Sequence, residues 1–344
     1  MEIARGGTKQ MRVREIRLKR YPEGIPKESD FEVTEAELPA PGAGQLCLRP
    51  LFLSIDPYQR NRMRGPSAGL SPGQVIGGRC VAEVAASNHP DHAAGDMVFA
   101  TAPWAEASLS DGTGLQRLDP DVHPPQLHLG AAGVPGLTAF VGLLDIGELQ
   151  PGETVLVSAA AGAVGSMACQ IAKLRGCRVV GTVGSARKAR WLLDEVGIDD
   201  AIDYSKEADL TAALKRSCPD GADLVFECVG GRHLEAGLAV LKPNRRVVLC
   251  GMMAGINGEP AGPANLDQVV AKRLGIRGVV VGDHMGRMAA FLNEMKQWLA
   301  DGAVHWQETV VDGIENAPKA FIGLFHGDNL GKMLVRVAGP RRSP

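Results

Sequence analysis

The sequence predicts an α/β protein in which a central, doubly wound parallel sheet is joined to a mostly β region. After Pro135, short apolar runs alternate with helical segments, a pattern typical of parallel strands connected by helices. Before Pro135, runs rich in Val, Ile and Leu are broken at short intervals by Gly, Pro, Asn and Asp, which indicates irregular β structure. The chain has 344 residues, more than a single hydrophobic core usually supports, so we expect two domains.

The elements can be predicted in order along the chain. The strands predicted in the first region are Gln45–Ser54, Val75–Ala86 and Met97–Thr101. Those predicted in the central region are Thr154–Val157, Cys177–Val183, Ala201–Asp203, Leu224–Val229, Arg246–Gly251 and Gly275–Val281. The predicted helices are Ser166–Arg175, Arg187–Val196, Leu210–Arg216, Leu234–Leu241 and Met285–Ala300. Shorter strands return after residue 304, GKMLVRV being the clearest. We therefore predict one domain over 1–130, completed by 304–344, and another over 131–303.

The run TVLVSAAAGAVG at 154–165 is the most informative part of the chain, because it lies between a buried strand and a helix. Its G-x-G-x-x-G positions are Ala160, Gly162 and Gly165. Gly162 allows a pyrophosphate to approach the backbone, Gly165 allows helix and strand to pack closely, and the helix N-terminus offers free N–H groups. This context favours a Rossmann dinucleotide site formed by Gly162, Ala163, Val164 and Gly165. The alternative is a tight turn in some other α/β domain.

The second predicted strand indicates which dinucleotide is bound. NAD sites place an Asp or Glu there, roughly 20 residues after the glycine turn, to bind the adenosine ribose. This chain has Gly184 and Ser185, followed by Arg187, Lys188 and Arg190. A hydroxyl and cations suit a 2′-phosphate, which a carboxylate would repel, so we predict NADPH bound through Ser185 and Lys188. The alternative for the cations is a solvated helix face.

Composition excludes several other classes of protein. The formal net charge of −2 gives no reason to expect nucleic-acid or anionic-membrane binding. The N-terminal segment has no apolar stretch, which predicts no secretory signal, and the apolar run Leu129–Leu144 is interrupted by Gly and Pro, which argues against a membrane span. The seven cysteines show no C-x-x-C spacing, which favours buried free thiols and a cytoplasmic location.

Three long motifs carry a resemblance that covers nearly the whole chain: LFLSIDPYQRNRM, GLTAFVGLLDIGELQPGETVLVSAAAGAVGSMACQIAKLRGCRVVGTVGS and IENAPKAFIGLFHGDNLGKMLVRV. The chain resembles the zinc-independent branch of the medium-chain dehydrogenase/reductase superfamily. Within that branch it is similar to prostaglandin/leukotriene reductases and, more closely, to bacterial curcumin-reductase-like alkenal/enone reductases. The resemblance implies a GroES-like substrate domain, a central Rossmann domain, an active site in the cleft between them, and a homodimer. The segment Gly275–Val281 could pair as an edge strand across the two-fold axis.

A metal-free reaction is expected. Zinc-dependent relatives place a cysteine where this chain has Asp56–Tyr58, and a His–Glu pair where it has Gly78 and Arg79. Without a Lewis acid, the natural chemistry is hydride transfer from NADPH to the β-carbon of an α,β-unsaturated ketone or aldehyde. Two alternatives stay open: an NADPH-dependent quinone reductase, and a low-turnover protein that binds NADPH for structural or sensing purposes.

The resemblance also implies further cofactor contacts. Tyr204 matches a tyrosine near the adenosine phosphate, although it could be an ordinary half-buried aromatic. Asn329 matches an asparagine that reaches the cofactor, although a turn role is nearly as plausible. The remaining positions matched to the cofactor are Cys228, Cys250, Gly251, Ile256, Val279, Val280 and Val281. Cys228 stands where relatives often have asparagine, and Ile256 where they often have tyrosine.

The source of the proton is less certain, because the chain has only three tyrosines. Tyr58, in DPYQR, is the best candidate for a catalytic phenol, and His284 is second. The missing tyrosines favour delivery by water or a ribose hydroxyl in an apolar pocket. Met63, Trp104, Met252 and His284 are candidate pocket residues; core packing is the alternative for Met63, Trp104 and Met252.

Overall fold

The computed structural model describes residues 11–258 and 262–337. These residues divide into two compact units. The first contains residues 11–129, 309–328 and 333–337, and the second contains 130–258, 262–308 and 329–332.

The sequence-predicted domains differ from these units at residues 130, 304–308 and 329–332. Hydrogen bonds tie the last two segments to the second unit. The Gly331 N–H donates to the Ala161 carbonyl over 2.8 Å, and the His305 N–H donates to Gln170 Oε1 over 2.6 Å. A sequence pattern cannot show such long-range bonds.

The structure defines the following elements in chain order. The strands are β1 (Met11–Leu18), β2 (Phe31–Leu38), β3 (Leu46–Ser54), β4 (Gly77–Ser87), β5 (Met97–Pro103), β6 (Ser108–Ser110), β7 (Gln116–Arg117), β8 (Thr154–Val157), β9 (Arg178–Val183), β10 (Asp200–Asp203), β11 (Ala222–Glu227), β12 (Leu241–Leu249), β13 (Gly275–Gly278), β14 (Glu308–Asp312) and β15 (Lys332–Arg336). The α-helices are α1 (Tyr58–Asn61), α2 (Val134–Val141), α3 (Ala163–Leu174), α4 (Ala186–Trp191), α5 (Leu210–Ser217), α6 (Gly231–Val240), α7 (Asp267–Lys272), α8 (Met288–Ala300) and α9 (Ala317–His326).

The first unit is mostly β structure. Its main sheet has the strand order β14-β15-β3-β4-β5-β7, with β6 also pairing with β3, and β1 and β2 form a separate antiparallel pair. The core of this unit includes Leu53, Val84, Trp104 and Phe321. The prediction of an irregular β region is therefore confirmed.

The second unit contains a sheet whose described strands all run parallel, in the order β10-β9-β8-β11-β12-β13. Numbered within the unit, this order is 3-2-1-4-5-6, that of the Rossmann fold. The strand order reverses between β8 and β11, and ligands of open α/β sheets bind at this switch point, beyond the carboxyl ends of the strands. The predicted α/β fold class is confirmed.

Several predicted element boundaries are wrong. Helix α3 begins at Ala163 rather than Ser166, because extended Gly162 is its N-cap and Gly165 lies within its first turn. The strand predicted over Gly275–Val281 ends at Gly278, and a 3₁₀ segment then begins at Val281. The three valines looked like strand residues, but Val280 is 64% exposed and lies beyond the ladder of β12. Among the described residues, no helix is both long and apolar enough to span a bilayer.

Candidate functional site

The turn after β8 forms the floor of the switch point. The Ser166 N–H donates to the Gly162 carbonyl, so the N–H groups of Ala163, Val164 and Gly165 precede the first hydrogen bond within α3. A Cβ on Gly165 would lie 2.3 Å from the Ala159 carbonyl oxygen, so only glycine fits there. This turn therefore presents three adjacent N–H donors at the N-terminus of a twelve-residue helix, an arrangement that suits a pyrophosphate.

Alanine at the first position of the glycine pattern is explained by the neighbouring strand. Ala160 is fully buried, and its methyl group lies over Gly181 of β9, where an added Cβ would come within 2.7 Å of it. Gly181 thus provides the room that the missing glycine would have left. The preceding residue, Ala159, has φ +48°, a left-handed conformation that is strained for alanine.

Three residues predicted to bind the adenosine end lie around Gly184. Ser185 caps α4, its Oγ accepting a hydrogen bond from the Lys188 N–H over 3.4 Å. The Tyr204 N–H donates to the Val183 carbonyl over 2.9 Å, and a Cβ on Gly184 would lie 2.8 Å from the Tyr204 hydroxyl. The structure therefore brings Ser185, Lys188 and Tyr204 to the carboxyl end of β9.

Sequence reasoning missed two residues that pack on Tyr204. The His233 ring meets the tyrosine edge-on at 4.6 Å between centroids, and Arg232 Cζ lies 5.2 Å from the tyrosine ring centroid. His233 Nδ1 lies 3.2 Å from Thr182 Oγ1. Burial, and to a lesser extent the charge of Arg232, lower the pKa of His233 to about 4, so the ring is neutral at pH 7. Both residues follow the Gly-Gly pair after β11, a signal that could have drawn attention to them.

A buried carboxylate, also missed, connects the loops on the two sides of the switch point. Glu227 Oε1 accepts hydrogen bonds from Ser158 Oγ (2.8 Å) and from the N–H groups of Val229 (2.6 Å) and Gly230 (2.7 Å). The Cys228 N–H in turn donates to Ser158 Oγ over 2.8 Å. Burial raises the pKa of Glu227, although these hydrogen bonds oppose the shift. An acidic residue at the end of a buried strand was the available sequence signal.

The thiols of Cys228 and Cys250 lie side by side after adjacent strands. Glu227 of β11 is in register with Leu249 of β12, and the Cys250 N–H donates to the Glu227 carbonyl over 2.8 Å. The neighbouring Cys250 thiol, together with burial, raises the pKa of Cys228 well above its ordinary value. Both cysteines are half-buried free thiols, whereas the other five are buried. The sequence-based expectation of burial is therefore wrong for this pair, because both follow strand ends.

The segment after Cys250 rests on the loop after β11. The Met253 N–H donates to the Cys228 carbonyl over 3.3 Å, and the Ala254 N–H donates to the Val229 carbonyl over 2.8 Å. Gly251 and Ile256 belong to this segment; Ile256 is buried, whereas Met252 is 42% exposed. Exposure of Met252 excludes core packing for that residue.

Two further predicted segments flank this region. The Val279 N–H donates to the Leu249 carbonyl over 2.9 Å, which keeps Val279–Val281 next to the end of β12, and His284 follows, half-buried, in the 3₁₀ segment. Asn329 Nδ2 donates to the Gly331 carbonyl over 2.8 Å. Asn329 therefore stabilises this turn, and the Gly331–Ala161 bond holds the turn against the phosphate loop.

Comparison with known proteins identifies the family. Residues 14–118 match a family model described as the N-terminal domain of oxidoreductase, and residues 163–297 match one described as zinc-binding dehydrogenase. The chain is 39% identical over 343 residues to the NADPH-dependent curcumin reductase of Escherichia coli, covering 97% of this chain and 99% of that protein. The chain belongs to the medium-chain dehydrogenase/reductase family. The family resemblance predicted from the sequence is confirmed.

Other members of this family are similar over the same length. A 2-alkenal reductase (NADP⁺-dependent) from Nicotiana tabacum is 40% identical, with 94% of this chain and 97% of that protein covered. The crystal structure of CurA from Vibrio vulnificus in complex with NADPH is 40% identical and superposes with a TM-score of 0.89, covering 95% of this chain and all of that chain. The protein is therefore an oxidoreductase of this family.

Two residues predicted to line the pocket lie in the core instead. Met63 and Trp104 are both fully buried, and the Trp104 ring stacks edge-on with Phe321 at 5.9 Å. Neither side chain lines the mouth of a pocket, so that expectation is wrong and core packing describes both. Large apolar side chains are found both in hydrophobic cores and in pockets, so the sequence alone does not distinguish the two positions.

Tyr58, the predicted catalytic phenol of this family member, is the first residue of α1 in the first unit and is 37% exposed. Arg79 Cζ lies 5.3 Å from its ring centroid. Partial burial and the charge of Asp56 raise the pKa of Tyr58, while Arg79 and Arg62 oppose the shift. The phenol is therefore protonated at neutral pH and can donate a hydrogen bond or a proton.

A shallow cavity beside the first turn of α3 contains residues that sequence reasoning did not select. Its lining includes Ala163, Ser166, Trp306 and Lys332, all in the second unit. Lys332 is buried. Its side chain lies next to Gly130, where an added Cβ would come within 3.5 Å of Lys332 Cβ. The GDNLGK motif could have drawn attention to Lys332, but only Asn329 was selected from it.

One matching family model is named for zinc. Within residues 11–258 and 262–337, no group of three or more His, Cys, Asp or Glu side chains is placed to hold a metal ion. The metal-free site stays a prediction.

Proposed function

We propose that this protein reduces the C=C bond of α,β-unsaturated ketones and aldehydes with NADPH, adding hydride to the β-carbon. The observation that carries the proposal is the Rossmann switch point with its three N–H donors and no acid at the end of β9, in a chain about 40% identical to NADPH-dependent reductases. Bound NADPH supplies the hydride. The chain's own residues bind and orient the reactants.

The residues around the switch point suit the parts of NADPH in order. The turn of Gly162, Ala163, Val164 and Gly165 holds the pyrophosphate through backbone N–H groups. Ser185, Lys188 and Tyr204 bind the adenosine 2′-phosphate through hydroxyl and ammonium donors. The residues assigned to the nicotinamide are Cys250, Gly251, Ile256, Val279, Val280 and Val281. Cys228 and Asn329 are further candidates for contact with the cofactor. The exposed Met252 and the half-buried His284 are the remaining pocket candidates.

Orientation accounts for most of the proposed catalysis. Holding the alkene carbon in a near-attack geometry lowers the barrier by several kcal/mol. The carbonyl oxygen gains negative charge as hydride adds to the β-carbon, and hydrogen-bond donors stabilise it. A proton then adds to the α-carbon. Tyr58 is the candidate donor from this chain, and water or a ribose hydroxyl is the alternative.

We also propose a metal-free cytoplasmic homodimer. Strand β13 is the edge of its sheet, its four residues are exposed, and Val270 nearby is 80% exposed. An uncovered edge with apolar neighbours can pair with a second copy across a two-fold axis. Light scattering of the wild type and of Ile276→Lys tests this: the wild type should have twice the chain mass of 36.3 kDa, and the variant should be a monomer.

The central experiment measures oxidation of NADPH and NADH with enones, enals and quinones. We expect turnover with enones and enals, NADPH preferred, and a saturated ketone or aldehyde as the product. Faster turnover of quinones would favour the quinone reductase alternative. Tight NADPH binding with no consumption across the panel would favour a binding protein. Elemental analysis of the active protein for zinc checks the metal-free assignment.

A further inference from the structure

The guanidinium of Arg232 is held over an aromatic face at the adenosine end of the site. Arg232 is the second residue of α6, its side chain is exposed, and its Cζ lies 5.2 Å from the Tyr204 ring centroid. Within the described parts of the chain, Arg232 forms no ion pair with a carboxylate. Its charge is therefore oriented by a ring without being neutralised by an acid.

The surroundings of Tyr204 fix this arrangement. The Tyr204 backbone is bonded to Val183, its hydroxyl lies against Gly184, and the neutral His233 ring packs against its edge. The adjacent carboxylate of Asp203 lies 3.7 Å from Lys206 Nζ and accepts a 2.6 Å hydrogen bond from Ser205 Oγ. Lys206 therefore offsets part of the charge of Asp203.

We propose that Arg232 is a specificity-determining residue that binds the 2′-phosphate of NADPH, acting from α6 while Ser185 and Lys188 act from α4. A guanidinium offers several N–H donors in one plane and forms charge-assisted hydrogen bonds with a phosphate dianion. Tyr204 joins the two groups, because its hydroxyl lies beside Gly184, next to Ser185, and its ring supports Arg232. The proposal rests on the proposed function, since the 2′-phosphate is the group that distinguishes NADPH from NADH.

The test uses binding, so that it is independent of turnover. Isothermal titration calorimetry of the full chain would compare 2′,5′-ADP, which carries the 2′-phosphate, with 5′-AMP, which lacks it. In Arg232→Ala we expect the Kd for 2′,5′-ADP to rise at least fivefold and the Kd for 5′-AMP to stay within twofold. The salt dependence of 2′,5′-ADP binding should become shallower, because one charge contact is lost. Arg232→Lys keeps the charge, so its Kd for 2′,5′-ADP should lie between those of the wild type and Arg232→Ala.

The matched control is Arg216→Ala, which removes an equally exposed cation that is paired with Glu207 in the same unit. It should bind both ligands like the wild type. An unchanged Kd for 2′,5′-ADP in Arg232→Ala would overturn the role of Arg232 alone. An equal loss for both ligands would overturn it in favour of stacking on adenine. A wild type that binds 2′,5′-ADP no more tightly than 5′-AMP would overturn the NADPH assignment as well.

Discussion

The Ser158 hydroxyl donates a 2.8 Å hydrogen bond to the buried carboxylate of Glu227 and accepts one from the Cys228 N–H. Ser158 follows β8 and Glu227 is the last residue of β11. The sheet reverses its strand order between these two strands. Their bond therefore connects the phosphate loop to the loop that carries Cys228. The carboxylate acts as a positioning residue for both loops.

Removing the hydroxyl should destabilise the fold. Ser158→Ala leaves Glu227 without one donor and the Cys228 N–H without its acceptor, so we expect the free energy of unfolding to fall by about 1–3 kcal/mol. The control is Ser205→Ala, which removes an exposed hydroxyl–carboxylate bond to Asp203 and should change it by less than about 0.5 kcal/mol. Urea unfolding measures both. Equal effects would contradict the central role of Ser158.

The pKa of Glu227 gives stability a definite pH dependence. Burial raises this pKa above the ordinary 4.5, so the folded state binds the proton more tightly than the unfolded chain does. The contribution of Glu227 to stability is therefore fully present below pH 4.5 and is lost as pH rises through its higher folded pKa. The stability of the wild type relative to Glu227→Gln should fall as pH rises through that interval. If this relative stability instead rose with pH, the hydrogen bonds to Glu227 would have a larger effect on its pKa than burial has.

Lys188 is expected to act on one cofactor only. Lys188→Ala removes a cation from the 2′-phosphate site, so the NADPH concentration needed for half-maximal rate should rise at least tenfold, about 1.4 kcal/mol. NADH kinetics should not change, because NADH lacks that phosphate. Steady-state rates with each cofactor measure this. An effect of the same size on both would remove Lys188 from the phosphate site.

The Cys228 thiol should be slow to react with the unsaturated carbonyls that the protein is proposed to reduce. A protonated thiol is a poor nucleophile, and Cys250 is the first cause of the raised pKa of Cys228. In Cys250→Ala, alkylation of Cys228 by iodoacetamide at pH 8 should be several times faster, as followed by mass spectrometry. Cys228→Ala with Cys250→Ala is the control that locates the modified residue. Slower alkylation of Cys228 in the single variant would refute the coupling.

Tyr58→Phe separates the two sources of the proton. If water or a ribose hydroxyl delivers the proton, kcat should fall less than tenfold. A fall of two orders of magnitude or more, with unchanged KM, would assign the proton transfer to Tyr58. Arg79→Gln, which removes the cation over the ring, is the companion variant. If water or a ribose hydroxyl delivers the proton, Arg79→Gln should leave kcat near that of the wild type.

Local patterns were enough to predict much of the fold. The strand Thr154–Val157 was predicted with its observed bounds, because a four-residue, mostly β-branched run bounded by turn residues favours a strand over a helix. The sequence also showed that Gly184 and Ser185 stand where NAD sites have an acidic residue. Boundaries were less certain: the start of α3 and the end of β13 depend on a glycine cap and on which valines a neighbouring strand reaches.

The sequence by itself determined the parallel α/β sheet, the mostly β first region, the phosphate loop and the family, because each depends on residues close together in the chain. Only the tertiary structure decided that Trp104 is a core residue, that Ser158 and Glu227 share a hydrogen bond, and that Arg232 lies over Tyr204. These partners are 28 to 69 positions apart along the chain. Packing and hydrogen bonding over such separations are set by the folded sheet, which no local pattern encodes.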